Sequence, residues 1–528
     1  MIDDFNNFGD GATVMADICI IGAGAAGIAI AREFLGTRFK ILILEGGGFA
    51  LEENSQQLFE SEVVGLPHAS IHDGRARVFG GTTTLWGGQA LRFDDLDLKA
   101  RSWVPFSGWP ISRAALDPYY VRAERILNLG ARIPYLDLCA SFGIVPPAFD
   151  PNIVTVECSR WSPKPNFGKA YRDDLKNALN VSVLLHANVT SIVTNKSAES
   201  VENVEFSTLS GKKGIAKAHS YVICCGGIET ARILLASNRI EPNGVGNHYD
   251  LVGRYFQEHI HLNYGNLHAK NRPYLQDLFE SFFVGGLKYA PLVTLTERAQ
   301  VEKQLLSIHG IVVFEIPPDS GIAAMKQLFR TMVGRTFSNA SEMRQLIGKS
   351  LANPDELMRL AYRLHLKKRA ATPKQGPILF GAQCEMAPNP ASRVMLSEAR
   401  DHLGMPQVKL DWRLGELERR TLSEFVRCLA KEFERLGLGS FELEQIEFLD
   451  DPLAWVEKAH DSAHHMGTAR MHENPQFGVV DSECQVHGVS NLYIGSSAVF
   501  PTSARSNPTL TILALSVRIA DRLKEVAS

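Results

Sequence analysis

No uncharged apolar run in the 528-residue chain reaches the roughly 18–20 residues that a bilayer-spanning helix needs. The longest candidate, residues 18–31, is short and laced with glycine. It follows an acidic Met-Ile-Asp-Asp start, which lacks the basic region of a secretory signal. A cytoplasmic location is therefore the expectation. Cysteine is sparse and scattered: eight residues, at 19, 139, 158, 224, 225, 384, 428 and 484, with no C-x-x-C pair. That pattern argues against a disulfide framework and suits a reducing compartment, with most thiols buried as small apolar side chains. No cluster has metal-ligand spacing, so no metal is expected, and no G-x-S-x-G elbow occurs. Internal repeats and low-complexity linkers are missing too. A large charge of either sign is also absent. Lys plus Arg number 55 and Asp plus Glu 58, a net charge of −3, which leaves no global electrostatic footprint for nucleic acid. With 45% apolar and 21% charged residues, the chain is neither disordered nor fibrous.

Chemistry begins near the N-terminus, with ADICIIGAGAAGIAIAREFL and then TRFKILILEGGG. Residues 18–21 form a short apolar strand, residues 28–35 have helical spacing, and residues 40–44 form a second strand ending at Glu45. Gly22, Gly24 and Gly27 complete G-x-G-x-x-G between them. Strand, glycine turn, helix, strand and acid together make the βαβ dinucleotide fingerprint. Gly22 permits the tight turn, and Gly24 lets backbone N–H groups reach a pyrophosphate at the positive helix end. Gly27 lets helix and strand pack closely. Glu45 is placed to accept hydrogen bonds from a ribose, and its charge would repel the 2′-phosphate of NADP. The position at the extreme N-terminus resembles FAD-binding proteins more than most NAD dehydrogenases.

Further along, residues 74–93 read GRARVFGGTTTLWGGQALRF. Gly81 with Thr82 and Thr84 offers backbone and hydroxyl donors, and Gly87-Gly88 lets the chain pass a flat ligand. Residues 181–194 read as strand, turn and strand, with the turn at 186–188; residues 202–209 and 214–223 read as a hairpin turning at 211–213. A buried strand at 221–225, a close-approach turn at Gly226-Gly227 and a helix at 229–237 follow. Residues 378–412 alternate turns and short β runs, as for the sheet floor of a second domain. Between 322 and 370 there are ten basic and three acidic residues, a local charge of 10 − 3 = +7. Two or three amphipathic helices are expected there, through Leu357, Leu360, Ala361 and Leu364, ending in RLHLKKR. Either they present a solvated basic face, or they build an oligomerisation arm, a lid or an anionic-surface contact.

The C-terminal 70 residues hold AHHMGTARM at 463–471 and then a long block containing SARSNPTLT. With the blocks already quoted and NHYDLVGRYFQEHIH at 247–261, the chain resembles the glucose-methanol-choline (GMC) family of flavoprotein oxidoreductases over nearly its whole length. It is most similar to the pyranose-oxidase-like and bacterial sugar-dehydrogenase branches. The resemblance implies FAD, hydride transfer to flavin N5, and a catalytic histidine four residues before the Thr of the GT dipeptide. That residue is His464, preceding Thr468. Asn507 fills the second catalytic position. Ala25, Ala26, Val189, Gly226, Ser497, Pro508 and Thr509 join the cofactor-binding set on the same ground. Pyranose oxidases usually attach FAD through a histidine in GGxSTHW; here Leu85 stands at that place, which implies non-covalent FAD. Gly87 stands where a side chain could contact flavin N5.

The chemistry of the residues agrees with the resemblance. Oxidising an alcohol removes a hydroxyl proton and a carbon-bound hydride. A neutral imidazole suits the proton, and Asn507 can hold the hydroxyl in position. His465 is the rival base; adjacent residues of an extended segment face opposite ways, so only one should meet the flavin. His259 is either an active-site or a structural residue. Glu385 either binds substrate hydroxyls or is paired, and Asp481 and His487 shape a loop. The expected fold is α/β, with a discontinuous Rossmann-like FAD-binding domain and a substrate domain of antiparallel or mixed sheet backed by helices. The first would take residues 1–264 and 451–528, with an excursion at about 95–180; the second, residues 265–450 with the helical insertion at 322–370. The expected activity is oxidation of a ring secondary alcohol of a sugar or glycoside, at C2 or C3, to a ketone. Oxygen, a quinone or a redox protein would be the acceptor, and 322–370 could join copies of the chain. A dehydrogenase subunit acting on another alcohol, and a non-redox lyase of the same family, are the alternatives.

Overall fold

The computed structural model describes residues 1–334, 340–352, 354–370 and 372–526. Residues 335–339 and 353, within the expected helical insertion, lie outside the described residues. Six short strands form a wholly parallel sheet. Their order is Ile2–Asp4, Val181–Leu185, Ile41–Leu44, Ile18–Ile21, Ser220–Ile223 and Leu492–Ile494. The four central strands are buried along their whole length apart from one serine, as β-branched runs covered on both faces require. Helices Ala25–Glu33 and Thr509–Val526 pack on each other, and Arg113–Ile126 packs on the second of them. This is the expected α/β, Rossmann-like layer arrangement.

A second, nine-stranded sheet is antiparallel throughout. Its main path runs Gly439–Phe441, Ile260–Ala269, Ile378–Cys384, Ile308–Phe314, Leu287–Leu295, Val154–Trp161 and Gln89–Ala90. The long helix Glu416–Arg435 backs it, burying Leu422, Phe425, Val426, Leu429 and Phe433 at helical spacing. The sheet draws strands from residues 89–90 and 154–161, far before residue 265.

Several local expectations are corrected. The β runs of 378–412 do not form one floor. Ile378–Cys384 enters the nine-stranded sheet, whereas Arg393–Arg400 and Pro406–Asp411 pair with Ser61–Val63 in a separate three-stranded sheet. The segment 214–223 splits as well. Lys213–Lys217 completes the hairpin with Val201–Ser207, and Ser220–Ile223 crosses into the parallel sheet. Gly226 and Gly227 are not a turn before a helix but the first residues of helix Gly226–Ala236. The GTTT stretch closes into a 3-10 turn over Gly81–Thr84. In the insertion, helices Gly321–Gly334, Ala340–Leu351 and Pro354–Ala361 are followed by a π turn at Tyr362–Leu366.

Its basic side chains are not simply a solvated face. Arg359 reaches Gln276 Oε1 at 2.7 Å, and Arg363 pairs with Asp277 and Glu280. Arg369 is buried and donates to the carbonyls of Asp277 and Glu280, both at 2.7 Å. Met358 of the last helix, and Tyr362 and Leu366 of the π turn, are exposed instead. Among the described residues, no helix is long and apolar enough to cross a membrane.

Candidate active site

A cavity of about 650 Å³ opens where the C-terminal ends of strands Ile18–Ile21 and Ile41–Leu44 meet segments 73–89 and 462–465 and the start of helix Gly226–Ala236. That is the crevice at which open parallel α/β sheets bind ligands. Gly22 has φ +101°, and a Cβ there would sit 2.8 Å from the Cys224 carbonyl oxygen. Gly27 does not line the cavity; a Cβ there would lie 2.0 Å from the Gly22 carbonyl oxygen, so it sets the helix against the strand. Gly24 and Gly226 both line the cavity, and a Cβ on either would meet nothing within 4 Å. Their bare backbone, at the N-terminal ends of two helices, leaves the room and the N–H donors that a pyrophosphate needs. The residues present therefore fit a dinucleotide.

Ala25, Ala26, Gly81, Thr82, Gly87, Val189, Ser497, Pro508 and Thr509 also line the cavity. Thr84 and Gly88 do not. Thr84 Oγ1 donates to the Gly81 carbonyl at 2.9 Å and holds the 3-10 turn, while Gly88 packs on Ser162 and Pro165. Glu45 lines the cavity, but it is already engaged: its oxygens accept the Ala23 N–H at 2.8 Å and the Gly47 N–H at 2.9 Å. Burial holds its carboxyl pKa above the usual range. It ties the glycine turn to the end of its strand. Gly87 is fixed by a protein neighbour as well as by any cofactor, since a Cβ would lie 2.6 Å from the Trp161 ring. Leu85 lines the cavity and is half-exposed.

The two candidate histidines lie next to strand Ile260–Ala269 on an irregular antiparallel pairing. Gln257 and Met466 exchange both backbone hydrogen bonds at 2.9 Å. In that register His259 stands opposite His464, and their Nδ1 atoms are 2.9 Å apart. His259 Nε2 lies 3.1 Å from the Ser503 carbonyl oxygen. A carbonyl only accepts, so His259 carries its proton on Nε2 and, being neutral, accepts at Nδ1. His464 must then donate from Nδ1, and its Nε2 keeps a lone pair. Asn507 Nδ2 is 3.4 Å from that Nε2, and Asn507 Oδ1 has no hydrogen-bond partner among the described residues. Burial pushes the His259 pKa down to about 4. Burial, with His259 alongside, also holds the His464 pKa well below its ordinary value.

His465 turns the other way, as expected of its neighbour. Its Nε2 is 3.2 Å from Ser70 Oγ, and its ring lies near His68. Glu258 sits between the two arrangements: Oε1 accepts the N–H of His259 at 2.8 Å and that of His464 at 2.7 Å. His464, His465 and Asn507 all line the cavity. Glu385 does not bind there; it is buried in a bidentate pair with Arg101. Asp481 accepts from the backbone of Glu483 and Gln485, and His487 Nε2 is 2.8 Å from the His472 carbonyl, which keeps both in loop-shaping roles.

Sequence reasoning missed Arg77, Gln89, Trp161 and Gln383, which also line the cavity. Arg77 Nε donates to Asn188 Oδ1 at 3.1 Å. The GRAR stretch before the glycine pair was its only local signal. Trp161 and Gln383 belong to the antiparallel sheet and reach the cavity through tertiary packing, which no spacing reveals.

Two family models, both described as GMC oxidoreductase, match residues 157–261 and 388–516. The fructose dehydrogenase large subunit of Gluconobacter japonicus is 21% identical, over 97% of this chain and 98% of its own length. The C-glycoside 3-oxidase of Arthrobacter globiformis is 34% identical over a segment covering 24% of this chain and 22% of that protein. Formate oxidase from Aspergillus oryzae has the same fold, with a TM-score of 0.58 and 17% identity over 98% of this chain and 99% of that one. The chain belongs to the GMC oxidoreductases, FAD-binding enzymes that act on alcohols.

Proposed function

We propose that the chain oxidises a secondary ring alcohol of a sugar or glycoside, at C2 or C3, to the ketone, using non-covalently held FAD. The observation that carries this reading is the tautomer relay from the Ser503 carbonyl through His259 to His464, which leaves the Nε2 lone pair beside Asn507 in the cavity. When bound, FAD supplies the acceptor for the hydride leaving the carbinol carbon. His464 Nε2 takes the hydroxyl proton, and the resulting imidazolium keeps its Nδ1–H bond to His259. Asn507 Nδ2 donates to the substrate oxygen, replacing its long contact to His464, and Oδ1 is open to a neighbouring hydroxyl. Trp161 gives an aromatic face, and Gln89 and Gln383 give planar amides on the same cavity, a combination suited to a polyhydroxylated ring. Two relatives whose names specify a sugar or glycoside support the same class.

In this reading Gly22, Gly24, Ala25 and Ala26 hold the pyrophosphate, and Glu45 holds the ribose. The cofactor unit comprises residues 1–264 and 451–528, apart from strands Gln89–Ala90 and Val154–Trp161, which join the sheet of the substrate unit 265–450. Oxygen, or an external quinone or redox protein, is the terminal acceptor. An anaerobic screen of sugars and glycosides for flavin bleaching, with identification of the product, tests the proposal. Bleaching with formation of a ring ketone is expected; no bleaching by any sugar or glycoside, with bleaching by simple alcohols, would reject the substrate class.

A further inference from the structure

Behind the catalytic face lies a cluster that alcohol oxidation does not use. Glu258 Oε2 is 3.5 Å from His68 Nε2 and 3.7 Å from His465 Nε2. The side chains of His68 and Glu258 are fully buried, and that of His465 is 8% exposed. One donor atom from each of the three residues can be chosen so that all lie within 4.8 Å of one another. Ser70 Oγ, 3.2 Å from His465 Nε2, adds an oxygen at the edge. Glu258 Oε2 and both ring nitrogens of His68 have no hydrogen-bond partner among the described residues. Phe256 and Trp412 pack edge-on against His68, so the walls are apolar.

A carboxylate oxygen and imidazole nitrogens buried together normally close to hydrogen-bond distance or move apart, because an unpartnered polar atom in a dry core is costly. Separations of 3.5 and 3.7 Å are too long for good hydrogen bonds. They match two ligands of one ion: bonds of about 2.1 Å at a tetrahedral angle place ligand atoms about 3.4 Å apart. Two imidazoles with one carboxylate suit a borderline transition ion rather than calcium or magnesium, which take oxygen cages. We propose that His68, Glu258 and His465 form a binding site for a divalent transition ion of the zinc class. The other oxygen of the same carboxylate carries the main-chain N–H groups of His259 and His464. An ion on Oε2 would thus stiffen the support from which both relay histidines hang. The three ligands are widely separated in sequence, which is why no spacing announced them.

The site is tested on the FAD-loaded enzyme without reference to turnover. The purified protein is stripped with chelator, titrated with Zn2+ under equilibrium dialysis and measured by elemental analysis. One zinc per chain is expected, and His68→Ala should weaken that binding at least about tenfold while retaining FAD. X-ray absorption of the zinc-loaded wild type reads the ligands directly and serves if the variant fails to fold. Two imidazoles and oxygen donors, without sulfur, are expected. Failure of the wild type to retain zinc would overturn the proposal. Zinc binding undiminished by His68→Ala, or sulfur in the first shell, would also overturn it.

Discussion

Replacing His464 by alanine removes the only cavity nitrogen whose lone pair the relay fixes. Flavin reduction by substrate should slow by about 10²–10⁴-fold, the usual worth of a general base, while FAD stays bound. Asn507→Ala should slow the same step by mispositioning the hydroxyl, with little change in the shape of the pH profile. That profile follows from the direction of the His464 shift. In the proposed mechanism the neutral ring is the active form, and burial holds its pKa well below 6.5. Rates of anaerobic reduction should therefore stay level as pH falls through 6.5 and decline only in more acid solution. A decline centred at the ordinary histidine value would mean that the ring is not buried in the working enzyme.

Among the elements, the glycine turn gives the cleanest separation of folding from binding. Gly24→Ala adds a methyl that meets no protein atom within 4 Å. It should leave the melting temperature of the cofactor-free protein unchanged and weaken FAD by about tenfold or more, at least about 1.4 kcal/mol. Gly27→Ala drives its methyl into the Gly22 carbonyl, so overpacking should cost about 1–3 kcal/mol of stability. Thermal melts with and without FAD check both. Glu45→Ala removes the carboxylate that two backbone N–H groups share. FAD affinity should fall by about 10–150-fold, or 1.5–3 kcal/mol, and the melting temperature should fall as well.

This turn was legible in the sequence because its meaning is local: strand period, glycine spacing and terminal acid lie within 30 residues. That His464 and Asn507 belong together was legible through the resemblance carried by their blocks, and they meet in one cavity. The contact of His259 with His464 was not. His259 reaches it only through a pairing register between segments 205 residues apart, and nothing short-range marks that register. The split of 378–412 between two sheets was hidden for the same reason, since alternating β runs do not name their partners.

For the whole molecule, the insertion at 322–370 is the feature that composition flagged and the fold reinterprets. Arg359, Arg363 and Arg369 turn inward to Gln276, Asp277 and Glu280, and Met358, Tyr362 and Leu366 line the solvent face. A subunit contact through this arm predicts that Met358→Asp with Leu366→Asp lowers the solution mass, measured by light scattering, while FAD stays bound. An unchanged mass would leave these side chains as isolated exposed apolar groups, which are common on protein surfaces.

The relay, the cavity and the crevice at the strand ends converge on one claim: that His464, rather than its neighbour, takes the substrate proton. Anaerobic stopped-flow reduction of the His464→Ala and His465→Ala proteins, each loaded with FAD, tests it most directly. The account predicts a severe loss of rate in the first and a much smaller one in the second. A crippled His465→Ala beside a nearly normal His464→Ala would contradict it.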